Sequence, residues 1–242
     1  MCRMLIATGN IDMNLIVDSI IPMIKDETKD HEFHLKVEKG NFTHFDGWGI
    51  AYRQNGNWVV HKSIKPFHDD PELQNIRSIK TDMVIIHIRR ATKGKVVIEN
   101  THPFVTTHNN QQFLFSHNGT VHSNIEFDKK FDIKGNTDSE QLFYSILTDL
   151  KLKEAHIAVQ ENLAKYTKSN GSNIFLSNNN TTVIGVKKSS MPQYYHMYLG
   201  EGNGTRIICS ERLTKLPGIV WRELEGGSVA TLDHETREII VH

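Results

Sequence analysis

The stretch Met83-Val84-Ile85-Ile86-His87-Ile88-Arg89 constrains the fold of this chain more than any other. An apolar run of this length without polar alternation suits a strand covered on both sides, because a half-exposed strand alternates apolar and polar residues. The run ends on His87 and Arg89, so the buried strand delivers polar side chains at its C-terminal end. Residues 112–116 read as a second strand of the same kind, leading into Ser116-His117-Asn118-Gly119.

The rest of the chain supplies layers to cover such strands. Residues 2–9 read as a short strand closed by Gly9-Asn10, and residues 14–25 then place Leu15, Ile16, Ile20, Ile21 and Ile24 at helical spacing. Residues 29–45 are polar and rich in histidine, which predicts a mobile loop. Strands at 49–53 and 58–62 flank Gln54-Asn55-Gly56-Asn57, whose Asn-Gly core suits a type I′ hairpin turn. Thr137-Asp138-Ser139-Glu140 has the spacing of a capping box, followed by Leu142, Phe143, Ile146, Leu147 and Leu150 on one helical face. Residues 153–169 continue the helical pattern. Beyond Ser172 the texture turns to short β segments at 173–177, 181–187, 194–199, 205–209, 228–233 and 238–241. Neither a linker nor an internal repeat divides the chain, and two sheets covered by helices in one α+β domain is the simplest packing.

Composition narrows the class of function. Lys+Arg and Asp+Glu both number 28, so nothing biases the chain toward nucleic acid or an anionic membrane. Two cysteines, Cys2 and Cys209, are too few for a disulfide scaffold. The start has no basic segment followed by a long apolar stretch, and no run approaches the roughly 18–20 apolar residues of a membrane span. A cytoplasmic protein is expected. His102, His108, His117 and His122 fall in one short interval, but no His-Glu-x-x-His pair or Cys-x-x-Cys knuckle accompanies them, so no metal is assigned to them.

Cys2 carries the chemistry. Removal of Met1 would leave an N-terminal cysteine, whose α-amine ordinarily titrates at about 7.7–8.0 and serves as the base for its own thiol. Four motifs surround this nucleophile in sequence order: Asp46-Gly47-Trp48-Gly49; His87-Ile88-Arg89-Arg90-Ala91-Thr92-Lys93-Gly94, leading to Asn100-Thr101-His102-Pro103-Phe104; Ser116-His117-Asn118-Gly119; and Gly135-Asn136-Thr137-Asp138-Ser139-Glu140. Together they contain what hydrolysis of a γ-glutamyl amide needs. Asn118 and Gly119 offer a side-chain and an unobstructed backbone N–H to an oxyanion. Arg89 suits an α-carboxylate, and Asp138 suits an α-ammonium. Trp48 reads as a core or lid aromatic, and Asp46 as support for its turn.

These motifs resemble those of the class II glutamine amidotransferases, in particular the stand-alone bacterial and archaeal members. The resemblance is specific from Cys2 to about residue 150 and looser to the end, through Cys209-Ser210-Glu211 and Trp221. It implies a four-layer αββα N-terminal nucleophile hydrolase sandwich of two mainly antiparallel sheets, formed by residues 2–242 as one domain after Met1 is removed. It also implies Cys2 as nucleophile, Asn118 and Gly119 as the oxyanion hole, Arg89 and Asp138 as holders of the substrate's α-carboxylate and α-amine, and Thr92 and Lys93 in a loop that closes over the substrate. No metal or organic cofactor is required. Arg90 and Lys93 stand where members fused to synthetase domains usually have Trp and His. The 242 residues leave no room for such a domain, so the expected partners are a small-molecule substrate, either glutamine or a γ-glutamyl compound, and a separate ammonia-accepting synthase or peptidase subunit. The alternative reading is a non-catalytic module that keeps the pocket to bind glutamine, a γ-glutamyl ligand or a partner. A histidine metal hydrolase is the weaker third.

Overall fold

The computed structural model describes residues 2–242; Met1, whose removal is expected from the sequence, lies outside them. In chain order the elements are β1 (Cys2–Gly9), α1 (Met13–Ile24), β2 (Trp48–Gln54), β3 (Asn57–Ser63), α2 (Leu73–Ser78), β4 (Met83–Arg89), β5 (Phe104–His108) and β6 (Gln111–Val121). There follow α3 (Asp138–Asp149), α4 (Ala155–Lys165), β7 (Ser169–Ser177), β8 (Thr181–Val186), α5 (Pro192–Tyr195), β9 (Met197–Gly202), β10 (Thr205–Cys209), β11 (Val220–Leu224), β12 (Val229–Asp233) and β13 (Ile239–Val241). The strands form two antiparallel sheets, one ordered β11-β9-β10-β1-β4-β2-β3 and the other β13-β12-β8-β7-β6-β5.

Strand periodicity sorts the side chains into four layers. On β1 and β4, Leu5, Ala7, Val84, Ile86 and Ile88 face one way and meet Ile16, Ile20 and Ile24 of α1 and Ile76 of α2. Their neighbours Met4, Ile6 and Ile85 face the other way, against Leu114, Phe175 and Ile184 of the second sheet. The far side of that sheet, with Phe115, Ile174 and Leu176, packs on Leu142, Phe143 and Ile146 of α3 and Val159 of α4. The result is the αββα sandwich. It explains the unbroken apolar run of β4, since both of its faces are covered. Among the described residues no helix is long and apolar enough to cross a membrane.

Most expected elements appear within a residue or two of their predicted ends. Asn55 and Gly56 both take positive φ (51° and 78°), as the type I′ turn between β2 and β3 requires. Thr137 caps α3 by accepting from the Glu140 N–H. The Glu140 carboxylate, however, does not return to the cap; it accepts from the N–H groups of Lys134 and Gly135, each at 2.8 Å, and ties down the preceding turn.

Three expectations are corrected. Residues 29–45 are not a loose loop: they contain a 3-10 turn at Glu32–Leu35 and bury His31, Phe42 and His44. The segment expected as a strand at 194–199 begins as α5, because Pro192 favours the first turn of a helix and Tyr194 and Tyr195 turn inward; β9 starts at Met197. Residues 112–116 are only the start of β6, which runs on through Asn118 and Gly119. β5 and β11 were not foreseen. Both lie at sheet edges, where exposed residues such as Val105 and Val220 blur the apolar signal.

Phe115 is fully buried and stacks on Phe143 with ring centroids 5.0 Å apart. Phe115→Ala is expected to cost about 3–5 kcal/mol in denaturant unfolding, whereas Val220→Ala on the exposed edge should stay within about 0.5 kcal/mol. Equal losses at the two positions would contradict the assigned layers.

Candidate active site

The two sheets converge at the N-terminus of β1. Cys2 lies opposite Arg89 in the β1–β4 register, and its backbone N–H donates to Asn118 Oδ1 on β6, in the other sheet, at 2.7 Å. A donor on Cys2 requires oxygen at that position, which assigns the Asn118 amide. Its Nδ2 is buried and has no partner among the described residues. Gly119 follows at a break in the β6–β7 register, and a Cβ there would lie 2.3 Å from the Gly171 carbonyl oxygen, so no larger residue fits.

Arg89 and Asp138 are both buried. The Arg89 guanidinium is committed to the loop that follows its own strand: Nη1 donates to the Lys95 carbonyl at 3.1 Å, and Nη2 to those of Lys93 (3.1 Å) and Gly94 (3.4 Å). Asp138, in the first turn of α3, accepts from the Val121 N–H at 2.6 Å. The same loop is latched to β6 by Thr92 Oγ1 and Thr120 Oγ1, 3.0 Å apart, and by Lys93 Nζ donating to the Val121 carbonyl. All seven residues selected from the sequence, Cys2, Arg89, Thr92, Lys93, Asn118, Gly119 and Asp138, therefore sit on one connected end of the two sheets.

Supporting residues fix this end. Asp46 accepts from the Ala91 N–H at 2.8 Å, and its own N–H donates to the Arg89 carbonyl at 3.1 Å, so it sets the exit of β4. Trp48 is wholly buried and donates to Asp70, which makes it a core aromatic. Asn100 Nδ2 donates to Asn136 Oδ1 (2.7 Å) while the Asn136 N–H donates back to Asn100 Oδ1 (2.9 Å), a reciprocal clamp joining two motifs.

Burial alone would push the Cys2 thiol up. The amino-terminal charge, the charge and hydrogen-bonding capacity of His87 and the backbone at Arg90 outweigh it, and bring the pKa down to about 6. At Cys209 burial outweighs the backbone contact with Glu211 and the Lys29 charge, and the thiol is pushed up instead. His87 Nε2 lies 3.2 Å from the His117 carbonyl, which can only accept, so in the neutral ring Nδ1 carries the lone pair. His117 itself is held between Ser139 and Ser172, and burial lowers it to about 4. The His102 ring lies tilted against His87, with centroids 4.2 Å apart.

Residues 22–186 match the family model for glutamine amidotransferases class-II. The chain belongs to that family. A putative glutamine amidotransferase of Haemophilus influenzae is 35% identical over 135 residues, covering 52% of this chain and 45% of that protein. The putative glutamine amidotransferase YafJ of Escherichia coli is 34% identical over 120 residues, 47% of each. This class II chain thus spans less than half the length of these curated relatives. The solved glutamine phosphoribosylpyrophosphate amidotransferase of Bacillus subtilis covers the whole chain at 15% identity and a TM-score of 0.69, with 49% of that structure matched, a likeness of fold. The shared fold is the N-terminal nucleophile sandwich.

The sequence singled out Cys2, Asn118, Arg89 and Asp138, which the fold brings together, but not His87 as a neighbour of the Cys2 thiol. The alternation of β1 and β4 held the signal: Cys2 pairs with Arg89 and Met4 with His87, which puts Cys2 and His87 on one face. His102, His108, His117 and His122 do not converge on a metal-binding group among the described residues.

Iodoacetamide should alkylate Cys2 with a pH midpoint near 6, while Cys209 stays unreactive in the folded protein. His87→Gln should move that midpoint upward. A wild-type midpoint above about 8, the range of an ordinary thiol, would contradict the electrostatics of the site.

Proposed function

We propose that the chain hydrolyses the γ-amide of glutamine or of a γ-glutamyl compound through a thioester on Cys2. The observation that carries this reading is the Asn118 amide, whose oxygen is tethered to the Cys2 nitrogen while its Nδ2 is buried and unspent beside the nucleophile. A preorganised donor at that position stabilises charge as it develops on the γ-carbonyl oxygen.

In the proposed sequence the Cys2 thiol gives its proton to the α-amine exposed by removal of Met1, and the sulfur attacks the γ-carbonyl carbon. The oxyanion is held by Asn118 Nδ2 and the Gly119 N–H. Collapse of the tetrahedral adduct breaks the C–N bond, and the ammonium formed on Cys2 returns the proton to the leaving nitrogen, so ammonia or an amine departs. Water then adds to the thioester through a second adduct in the same hole, releasing glutamate and restoring the thiol. Arg89 takes the substrate's α-carboxylate and Asp138 its α-ammonium, while Thr92 and Lys93 belong to the loop that closes over it. The released ammonia or amine either leaves to solvent or passes to a separate synthase or peptidase subunit.

In the chain that still carries Met1 the thiol is lowered to about 6, partly by the amino-terminal charge, and the α-amine exposed on removal of Met1 would place a base directly beside the thiol. The reading is tested by intact mass to establish the new N-terminus, followed by glutamate release from glutamine, glutathione and other γ-glutamyl amides. Cys2→Ala should abolish turnover with the fold retained. Asn118→Ala should lower kcat about 10²–10³-fold, the usual loss for one oxyanion donor. Substantial turnover in Cys2→Ala would remove the nucleophile. Ligand-induced stabilisation without glutamate release from any substrate would favour a binding module instead.

A further inference from the structure

We infer that Asp26, His31 and His34 form a binding site for a divalent transition metal of the zinc class, separate from the residues proposed for catalysis. One ligand atom from each residue falls within 4.8 Å of the others. His31 Nε2 is 3.2 Å from Asp26 Oδ1, and His34 Nε2 is 3.0 Å from the same oxygen and 3.1 Å from Oδ2. Ligands about 2.0–2.1 Å from a tetrahedral zinc lie about 3.3 Å from each other, close to these nitrogen–oxygen separations. Two imidazoles and one carboxylate, with a remaining position for water, are a donor set suited to zinc or its first-row neighbours.

The surroundings orient the ligands as a metal site requires. Asp26 Oδ2 accepts from the N–H groups of Gly40 (2.8 Å) and Phe42 (3.1 Å), which locks the carboxylate with Oδ1 turned to both rings. Asp26 takes a positive φ of 62°, a backbone conformation uncommon outside glycine and asparagine-like residues, to present it. The side chain of His31 is wholly buried. Its Nδ1 has no partner among the described residues, so moving the ring hydrogen there breaks no bond seen among them. His34 Nδ1 accepts from the His31 N–H at 3.3 Å and lies 3.5 Å from Asp30 Oδ1. Metal at Nε2 shifts the His34 hydrogen to Nδ1 and exchanges the first contact for donation to Asp30, a carboxylate–histidine–metal arrangement.

The site would fasten the segment between α1 and β2 beneath the active end. The His31 ring packs edge-on to Tyr194, 5.0 Å between centroids, and the Tyr194 hydroxyl donates to the Cys2 carbonyl at 3.3 Å. The Thr43 carbonyl, in the same segment, accepts from Arg90 at 2.8 Å.

The test is a Zn²⁺ and Co²⁺ titration of the full chain bearing Cys2→Ala, so that the active-site thiol does not compete. One equivalent of Zn²⁺ should bind and raise Tm, and Co²⁺ should give the visible bands of a four- or five-coordinate nitrogen and oxygen site. His34→Gln should weaken Zn²⁺ binding by roughly a hundredfold or more, beyond the loss of an outer-shell partner. His156→Gln, in the first turn of α4 and outside the proposed ligand set, should leave it unchanged. Absence of saturable binding with the wild-type ligand set, or equal affinity in His34→Gln, would overturn the site. The Co²⁺ spectrum of the chain with all three ligands decides the matter even where a variant fails to fold, and it is independent of any glutamate release.

Discussion

The hydrogen bond from the Cys2 N–H to Asn118 Oδ1 joins the start of one sheet to the middle of a strand in the other, and the rest of the site depends on it. Its geometry is set by two registers at once, Cys2 opposite Arg89 and Asn118 opposite Asn173. A slip of one residue in either ladder would turn the side chain to the opposite face, since strand periodicity is two. The slip would also carry the residues that now face α1 and α2 into the layer between the sheets, and the reverse, so that neither layer would keep its packing. The packing of Leu5, Ile86 and Phe115 therefore holds the register of Cys2 and Asn118 in place, although none of these residues bonds to either. Core and site are one constraint viewed from two ends.

The polar groups at this end are buried, and buried polar groups must be paired. Asp46 accepts from the backbone beyond β4, Asp138 from the backbone at the end of β6, and Glu140 from the turn before α3. Asp46 and Glu140 thus fix stretches of irregular chain, and Asp138 fixes the end of β6 beyond its register break. The same principle orders the segment after α1, where Asp26 gathers two backbone N–H groups and two imidazoles. Carboxylates placed at the ends of regular elements build the loops on which Arg90, Thr92 and Lys93 stand.

This division explains what could be read from the sequence. β4 was legible because burial on both faces removes polar alternation, and the β2–β3 turn was legible because Asn-Gly supplies two positive φ values. α3 announced itself through Thr137 and an apolar helical face. Ser116-His117-Asn118-Gly119 lies beyond most of the stretch read as a strand yet continues β6, because its polar side chains find buried partners that only the folded molecule supplies: Ser139 and Ser172 for His117, and Cys2 for Asn118. Residues 29–45 resembled a mobile loop for the same reason. Their order comes from Asp26 and from the aromatic contacts of Phe33 and Phe42 with Tyr194, some 150 positions away in sequence. Local patterns revealed the elements, and long-range polar pairing remained hidden.

The Arg89 fork gives this pairing a consequence for binding. Its donors are engaged by three carbonyl oxygens of the loop from Lys93 to Lys95. A substrate carboxylate in the proposed role would have to exchange for some of these bonds, each of which, as a hydrogen bond to a charged group, is worth about 1.5–3 kcal/mol. A neutral group at the same place could not repay that loss, whereas a carboxylate forms a bidentate pair with the guanidinium. The freed carbonyls would then favour a new loop position, so recognition of the carboxylate and movement of Thr92 and Lys93 become the same event. Discrimination for an α-carboxylate would therefore arise less from the charge of Arg89 alone than from what that charge already holds.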